Sequence, residues 1–391
     1  MWIPRDIEAL LRQRAATRPV VVLTGARQTG KTSLVRRLFP EHGFVSLDLP
    51  SEAALAEHDP EAFLARHPQP LIVDEAQYAP GLFRHLKAVV DAERGRMGRF
   101  LVTGSQRFEL MAAVSDSLAG RAEILQLEGL SWSELQAARP GFPLEEALLR
   151  GAFPELHADP AIDPSGFFRS YLATYLERDL RLMLQVGSLR DFERFVRACA
   201  LRTAQLLNKA ELARDVGISP STAAQWLSVL EASGIVFLLE PWYANRTRSL
   251  VKTPKLYVCD TGLAAFLVGL RHPAELADSP LAGALWETLV ATELRRLQLH
   301  RTGGWDLNFW RDRTREVDFV QHRGGRFRLA DAKWTAHPDP RDAQNLRHVA
   351  ALLPAASASH LSLFCRSPHP YPLPPEAQAL PLSAAAEWLG C

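Results

Sequence analysis

Residues 20–38 read VVVLTGARQTGKTSLVRRL: a β-branched run, a glycine-bounded loop and an amphipathic helical pattern in immediate succession. The loop Gly25-Ala26-Arg27-Gln28-Thr29-Gly30-Lys31-Thr32, with Ser33 opening the helix, fits G-x-x-x-x-G-K-[ST] at every position. Gly25 and Gly30 let the backbone curl so that its N–H groups face phosphate oxygens, and the helix N-terminus adds a favourable dipole. Lys31 is placed to reach the β- and γ-phosphates, and the Thr32 hydroxyl to ligate Mg²⁺. A chance glycine turn would lack the strand before and the helix after. ATP and Mg²⁺ are the expected ligands.

Working outward, strands are expected at FVSLDL (44–49), PLIVDEAQ (70–77), RFLVTGSQ (99–106) and AEILQLEGL (122–130), most of them separated by helical segments. Strands alternating with helices imply a parallel sheet with crossover helices. Asp74 and Glu75 end an apolar strand. That position suits an acid holding Mg²⁺ through water, followed by one polarising the attacking water. Thr103 or Ser105, ending the next strand, either meets the γ-phosphate or caps the strand. Arg121 is read either as a charge offered to the transition state in a neighbouring subunit, which implies a homo-oligomer, or as a solvated arginine.

At 391 residues, two or three domains are expected. A net charge of +1 gives no chain-wide field for nucleic acid or membrane, so affinity for polyanions must come from local clusters. Cys199, Cys259, Cys365 and Cys391 show no paired spacing, which fits a reducing compartment and suggests no zinc site. The opening MWIPRDIEALL lacks a long apolar core, and no apolar run approaches the roughly 18 residues of a membrane span. The expectation is a cytoplasmic protein with no membrane contact. Residues 366–382 are proline-rich and read as a tail.

Residues 206–240 carry a helix stripe at Leu212, Ala213 and Val216, a turn at Gly217, and a second helix capped by Ser219 with Pro220 at its first position. Trp226, Leu227, Leu230 and Ile235 continue the apolar face into the strand IVFLLE, giving the pattern of a winged helix-turn-helix. Its second helix exposes Ser221, Thr222, Gln225 and Ser228, polar but uncharged. Beyond the strand, Arg246, Arg248, Lys252 and Lys255 come with no acid among them and suit phosphate contacts with DNA. The competing reading is a module that packs or docks protein.

In GALWETLVATELRRL (283–297) an apolar stripe runs through Trp286, Leu289, Val290, Leu294 and Leu297, with Glu287 at its edge and Glu293 nearer its centre. Which of the two acids faces a site stays open. REVDFVQHRGGRFRLADAKW (315–334) then places Asp318 on one strand and Asp331 and Lys333 on the next. Positions 331 and 333 share a face, which Asp318 can join. Acids gathered so closely repel, so without a divalent cation their pKa values should be raised. Arginines 311, 313, 315, 323, 326 and 328 crowd the same region.

Two resemblances rest on these residues. GARQTGKTSL, LIVDEAQ and LVTGSQ resemble the AAA+ ATPases. More narrowly, with IPRDI, GAFPE, YLERDL and KLYVCDTGLAAFL, they resemble a bacterial and archaeal group in which such a domain is fused to an uncharacterised C-terminal domain. Arg178 in YLERDL matches a lid residue that senses nucleotide, or simply stabilises a helix. Helix Glu, strand Asp, then Asp-x-Lys resembles the PD-(D/E)XK nuclease-like fold. That implies Mg²⁺ on Glu287, Asp318 and Asp331, with Lys333 positioning water against a phosphodiester. Asp331 stands where Glu is commoner, and the lead motif lacks its proline.

The expected architecture is therefore α/β throughout. It comprises an AAA+ type P-loop NTPase parallel sheet (1–150), a helical lid and connector (151–205), a winged helix-turn-helix (206–258) and an α/β restriction-endonuclease-like domain (259–391). The expected function is Mg²⁺-dependent ATP hydrolysis coupled to a DNA-directed, nuclease-like module. The rivals are an ATP-driven switch with a docking winged helix and a degenerate back domain, and a DNA-binding scaffold that uses ATP to oligomerise.

Overall fold

The computed structural model describes the chain apart from residues 1, 106–113, 115–116, 176–188, 243–252, 302–305, 355–356 and 391. Val20–Thr24 (β1), Gly43–Ser46 (β2), Leu71–Asp74 (β3), Phe100–Gly104 (β4) and Ala122–Gln126 (β5) form one parallel sheet in the order β2-β3-β4-β1-β5. Every residue of β1 is buried. Val20 and Val22 pack with Phe83 and Leu86 of the helix Leu82–Ala92. Val21 and Leu23 pack with Leu11, Leu34 and Val35 of the helices Glu8–Thr17 and Lys31–Leu38. Helices on both faces account for the unbroken apolar run, since neither side of the strand meets water. β4 stands between β1 and β3, so the C-terminal ends of these three strands lie side by side, where ligands bind in open α/β sheets. β5 is shorter than the expected 122–130.

The middle of the chain is mostly helical: Leu144–Arg150, Pro164–Tyr175, Leu189–Leu201, Lys209–Val216, Pro220–Ala232 and Thr261–Val268. Gln205–Leu206 (β6), Val236–Leu239 (β7) and Lys255–Val258 (β8) join them as an antiparallel sheet in the order β6-β8-β7. The first helix of the helix-turn-helix pair ends at Gly217 with φ 85°, and the Ser219 hydroxyl caps the next by accepting the Thr222 N–H at 3.0 Å. Ser221, Gln225 and Ser228 are exposed on that second helix. Arg178, Arg246, Arg248 and Lys252 lie outside the described residues.

Asp306–Arg311 (β9), Glu316–Arg323 (β10), Arg326–Ala332 (β11), Ala358–Phe364 (β12), Tyr371–Leu373 (β13) and Ala377–Leu380 (β14) form a mixed sheet in the order β13-β14-β12-β11-β10-β9. The proline-rich stretch expected as a tail thus holds β13 and β14. The helix Ala282–His300 covers one face through Trp286, Val290 and Leu294, against Phe319 and Phe364. The helix Gln344–Leu352 covers the other through Leu346 and Val349. One apolar core runs from Leu148 to Leu389, joining middle and back. The expected boundary at 258 falls within it: Leu263, Ala264 and Leu267 of the helix Thr261–Val268 share the core of the middle helices.

Candidate functional site: the phosphate cleft and the carboxylate cluster

The loop after β1 is shaped by its glycines. A Cβ on Gly25 would stand 2.1 Å from the Leu127 carbonyl oxygen, and Gly30 has φ +89°. Lys31 is buried and donates from Nζ to the carbonyls of Gly25 at 3.0 Å and Ala26 at 2.8 Å. Burial depresses its pKa to about 8, opposed by the carboxylates of Glu75 and Asp74. Thr29 donates to the Ala26 carbonyl at 2.9 Å, closing the loop on itself.

Asp74, ending β3, accepts from the Thr32 hydroxyl at 2.8 Å, and the Thr103 hydroxyl donates to the same oxygen. Thr103 therefore holds the acid rather than capping its strand. Glu75 turns into the left-handed region at φ 54°, and its Oε2 accepts from Gln77 Nε2 and, at 3.3 Å, from the Ser105 hydroxyl. Such a backbone costs about 1–3 kcal/mol in a non-glycine residue and re-aims the side chain. A cleft of about 280 Å³ opens here, lined by Arg27, Gln28, Gly30, Lys31, Thr32, Ser33 and Glu75. Tyr171 and Thr174 of the helix Pro164–Tyr175 complete it. Sequence reasoning missed these two, since nothing in SYLATY marks them.

The donor set fits a triphosphate with Mg²⁺. Thr32 and Asp74 are hard oxygen ligands in contact with each other. Among the described residues no three His, Cys, Asp or Glu side chains are placed to hold a metal alone. Two protein oxygens, those of Thr32 and Asp74, suit an ion which completes its shell with phosphate and water. A measurable consequence follows from Lys31. Phosphate charge restores a depressed ammonium, so ATP binding at about pH 8.5 should take up protons, and affinity should fall as pH rises past 8. Calorimetry in two buffers of different ionisation enthalpy reads the uptake. Heats that do not depend on the buffer would contradict it.

Arg121 precedes β5, at the strand ends opposite the loop, and is gripped by Asp91: Nε to Oδ1 at 2.7 Å and Nη2 to Oδ2 at 2.9 Å. It is not a freely solvated arginine. To serve a neighbouring subunit it would have to leave Asp91. Arg5, also unforeseen, is buried behind the loop, donating to the carbonyls of Thr29 at 2.9 Å and Glu128 at 2.7 Å and pairing with Glu134 at 3.1 Å.

The back cluster forms around a cation the sequence placed elsewhere. Lys255, on β8, is 1% exposed, and its Nζ stands 2.8 Å from Glu287, 2.6 Å from Glu316 and 2.9 Å from Asp318. Its reading as a DNA-contacting cation is corrected: a side chain buried among three carboxylates does not meet a phosphate. Asp318 and Asp331 interlock, Asp331 accepting the Asp318 N–H and Asp318 the Ala332 N–H, each at 3.0 Å. Burial and then Asp318 push Glu287 up to about 7, and the same two causes raise Asp331 well above the carboxylate range. Lys333, just past β11, opposes the rise at Asp331 but forms no ion pair among the described residues. Glu293 faces away: it accepts the Trp132 N–H at 2.7 Å, and burial raises it to about 7.

Residues 17–136 match a family described as AAA domain, and residues 142–274 and 282–385 match two domains of unknown function (DUF8612 and DUF4143). Over 383 residues the chain is 32% identical to the uncharacterized protein Rv2008c of Mycobacterium tuberculosis, covering 96% of this chain and 83% of that one. The same figures hold for the uncharacterized protein Mb2031c of Mycobacterium bovis. The chain belongs to the family of these mycobacterial proteins. Its front is an AAA-type P-loop domain, which binds and hydrolyses ATP. Among solved structures, the Walker-type ATPase PABY2304 of Pyrococcus abyssi is 15% identical over 68% of this chain and 96% of its own, with a TM-score of 0.45. AMPPCP-bound DnaA from Aquifex aeolicus is 12% identical over 57% and 85%, with a TM-score of 0.31. Both are distant likenesses. Among the described residues no helix is long and apolar enough to cross a membrane.

Proposed function

We propose that the protein is a Mg²⁺-dependent ATPase working as a nucleotide-driven switch. In it, a winged helix-turn-helix serves as docking module, and the nuclease-like back domain keeps its fold without its chemistry. One observation carries this reading: Lys255 occupies the space between Glu287 and Asp318 where a divalent ion would have to sit. The exposed face of the helix Pro220–Ala232 carries Ser221, Gln225, Ser228 and the carboxylate Glu231 but no cation, which also favours docking over phosphate contact.

At the front, Lys31 leaves the loop carbonyls to meet the β- and γ-phosphates, and Glu75, held by Gln77 and Ser105, polarises the attacking water. Mg²⁺ held by Thr32 and Asp74 would neutralise phosphate charge. Tyr171 and Thr174 bring the middle of the chain to the cleft mouth, so triphosphate and diphosphate states present different surfaces to it.

The second reading, a DNA-directed nuclease module, draws on the interlocked Asp318 and Asp331 with Glu287 across from them, and on the cations Arg246, Arg248 and Lys252. ATP turnover with and without single- and double-stranded DNA, alongside Mg²⁺- or Mn²⁺-dependent nicking, separates the two. The switch reading expects turnover indifferent to DNA and no nicking. DNA-stimulated turnover, or nicking abolished by Asp318→Ala, would replace it with the second.

A further inference from the structure

The two glycines of the phosphate loop are held in different ways. Gly25 is wedged against the Leu127 carbonyl, whereas a Cβ on Gly30 would meet nothing within 4 Å. Packing at Gly30 therefore leaves the Thr29–Gly30 peptide room to turn over, and a glycine at φ +89° makes that rotation easy. The helix that follows begins its ladder one residue later, with the Leu34 N–H on the Gly30 carbonyl at 2.9 Å. The group that grips this peptide is Arg5, 24 residues upstream, whose Nη1 donates to the Thr29 carbonyl at 2.9 Å. Arg5 is itself immobilised. Its Nη2 donates to the carbonyls of Glu128 at 2.7 Å and Gly129 at 3.0 Å, and its Nε meets Glu134 at 3.1 Å. Glu134 is fixed in turn by the N–H groups of Asp6 and Ser131. From the far side, His300 accepts the Glu128 N–H at 3.2 Å and anchors that segment to the helix Ala282–His300. All three guanidinium nitrogens are occupied by protein acceptors and the side chain is 3% exposed, so Arg5 works through the loop rather than on a phosphate.

We infer that Arg5 is a positioning residue for nucleotide binding: by holding the Thr29 carbonyl it turns the Gly30 N–H towards the cleft that Gly30 lines. The physical link is the planar trans peptide, in which the carbonyl and the following N–H point in opposite directions. The inference rests on residues 25–32 being the ATP site. Without the guanidinium, the Thr29–Gly30 peptide samples both orientations, and only one of them offers its N–H to phosphate. Affinity then falls in proportion to the time spent in the competent orientation, while the number of sites stays the same.

Equilibrium titration of the full chain with a fluorescent ATP analogue and Mg²⁺ reads affinity and site number without turnover. Arg5→Lys keeps a charge beside Glu134, but one nitrogen cannot span Glu134 and the carbonyls of Thr29 and Glu128. It should bind the analogue about tenfold more weakly, at as many sites per chain as wild type. Glu134→Gln keeps the Ser131 cap but loosens Arg5, and should weaken binding in the same direction by less. A purely structural Arg5 would give fewer sites at unchanged affinity. Arg5→Lys protein that binds with wild-type affinity would overturn the inference; if that variant does not fold, wild-type affinity in Glu134→Gln would do so. Binding that survives Lys31→Ala in the same titration would sink the site reading underneath, and the inference with it.

Discussion

Lys31→Ala protein should show no measurable ATP turnover, whereas Glu75→Gln should bind ATP as tightly as wild type and turn it over about 10²–10⁴ times more slowly. The two side chains line one cleft but act at different stages. On the proposed reading Lys31 supplies charge to the β- and γ-phosphates in ground and transition states alike, so its loss should remove binding itself. In the proposed mechanism Glu75 acts on the attacking water, and glutamine preserves the hydrogen bonding from Gln77 and Ser105 that positions it. What disappears is the basicity. Equilibrium binding of a fluorescent ATP analogue with single-turnover hydrolysis separates these effects. If Glu75→Gln hydrolysed ATP at the wild-type rate, Glu75 would lose its assigned role.

The phosphate loop was legible because its chemistry is local. Gly25, Gly30, Lys31 and Thr32 sit within eight consecutive residues, so their spacing alone marks them, although Gly25 also makes room for the Leu127 carbonyl and Thr32 meets Asp74 from afar. The helix-turn-helix caps are local in the same sense: Gly217 and Ser219 answer to their own backbone. Asp318 and Asp331 were legible as a pair because adjoining strands impose the alternation that brings them together. Lys255 was not. Its partners Glu287 and Asp318 lie 32 and 63 residues away, and TPKLYV reads as part of a basic strand until tertiary packing buries it. Tyr171 and Arg5 failed for the same reason: each meets the loop across a packing contact that no periodicity encodes. Glu287 and Glu293 sit on one helix six residues apart, and only the neighbours decide which acid meets the cation and which meets the Trp132 N–H.

Removing either of two lysines near the carboxylates changes net charge equally, so burial should decide the outcome. Lys255→Ala breaks a buried network, leaving Glu287, Glu316 and Asp318 without their shared cation, and should cost about 3–5 kcal/mol of stability. Lys333→Ala removes a partly exposed cation that only influences Asp331 from nearby, and should cost less than about 1 kcal/mol. The pH dependence has a definite sign. In the Lys255→Ala protein the stranded carboxylates have folded-state pKa values raised above their unfolded ones. The folded protein then binds more protons, and its stability is lost as pH rises and recovered as pH falls. The gap to wild type should therefore narrow on going from about pH 8 to about pH 5. Urea unfolding of wild type and both variants at those two pH values measures all of this. Equal losses for the two variants, or a gap that widens in acid, would mean that Lys255 is not the charge on which the cluster depends.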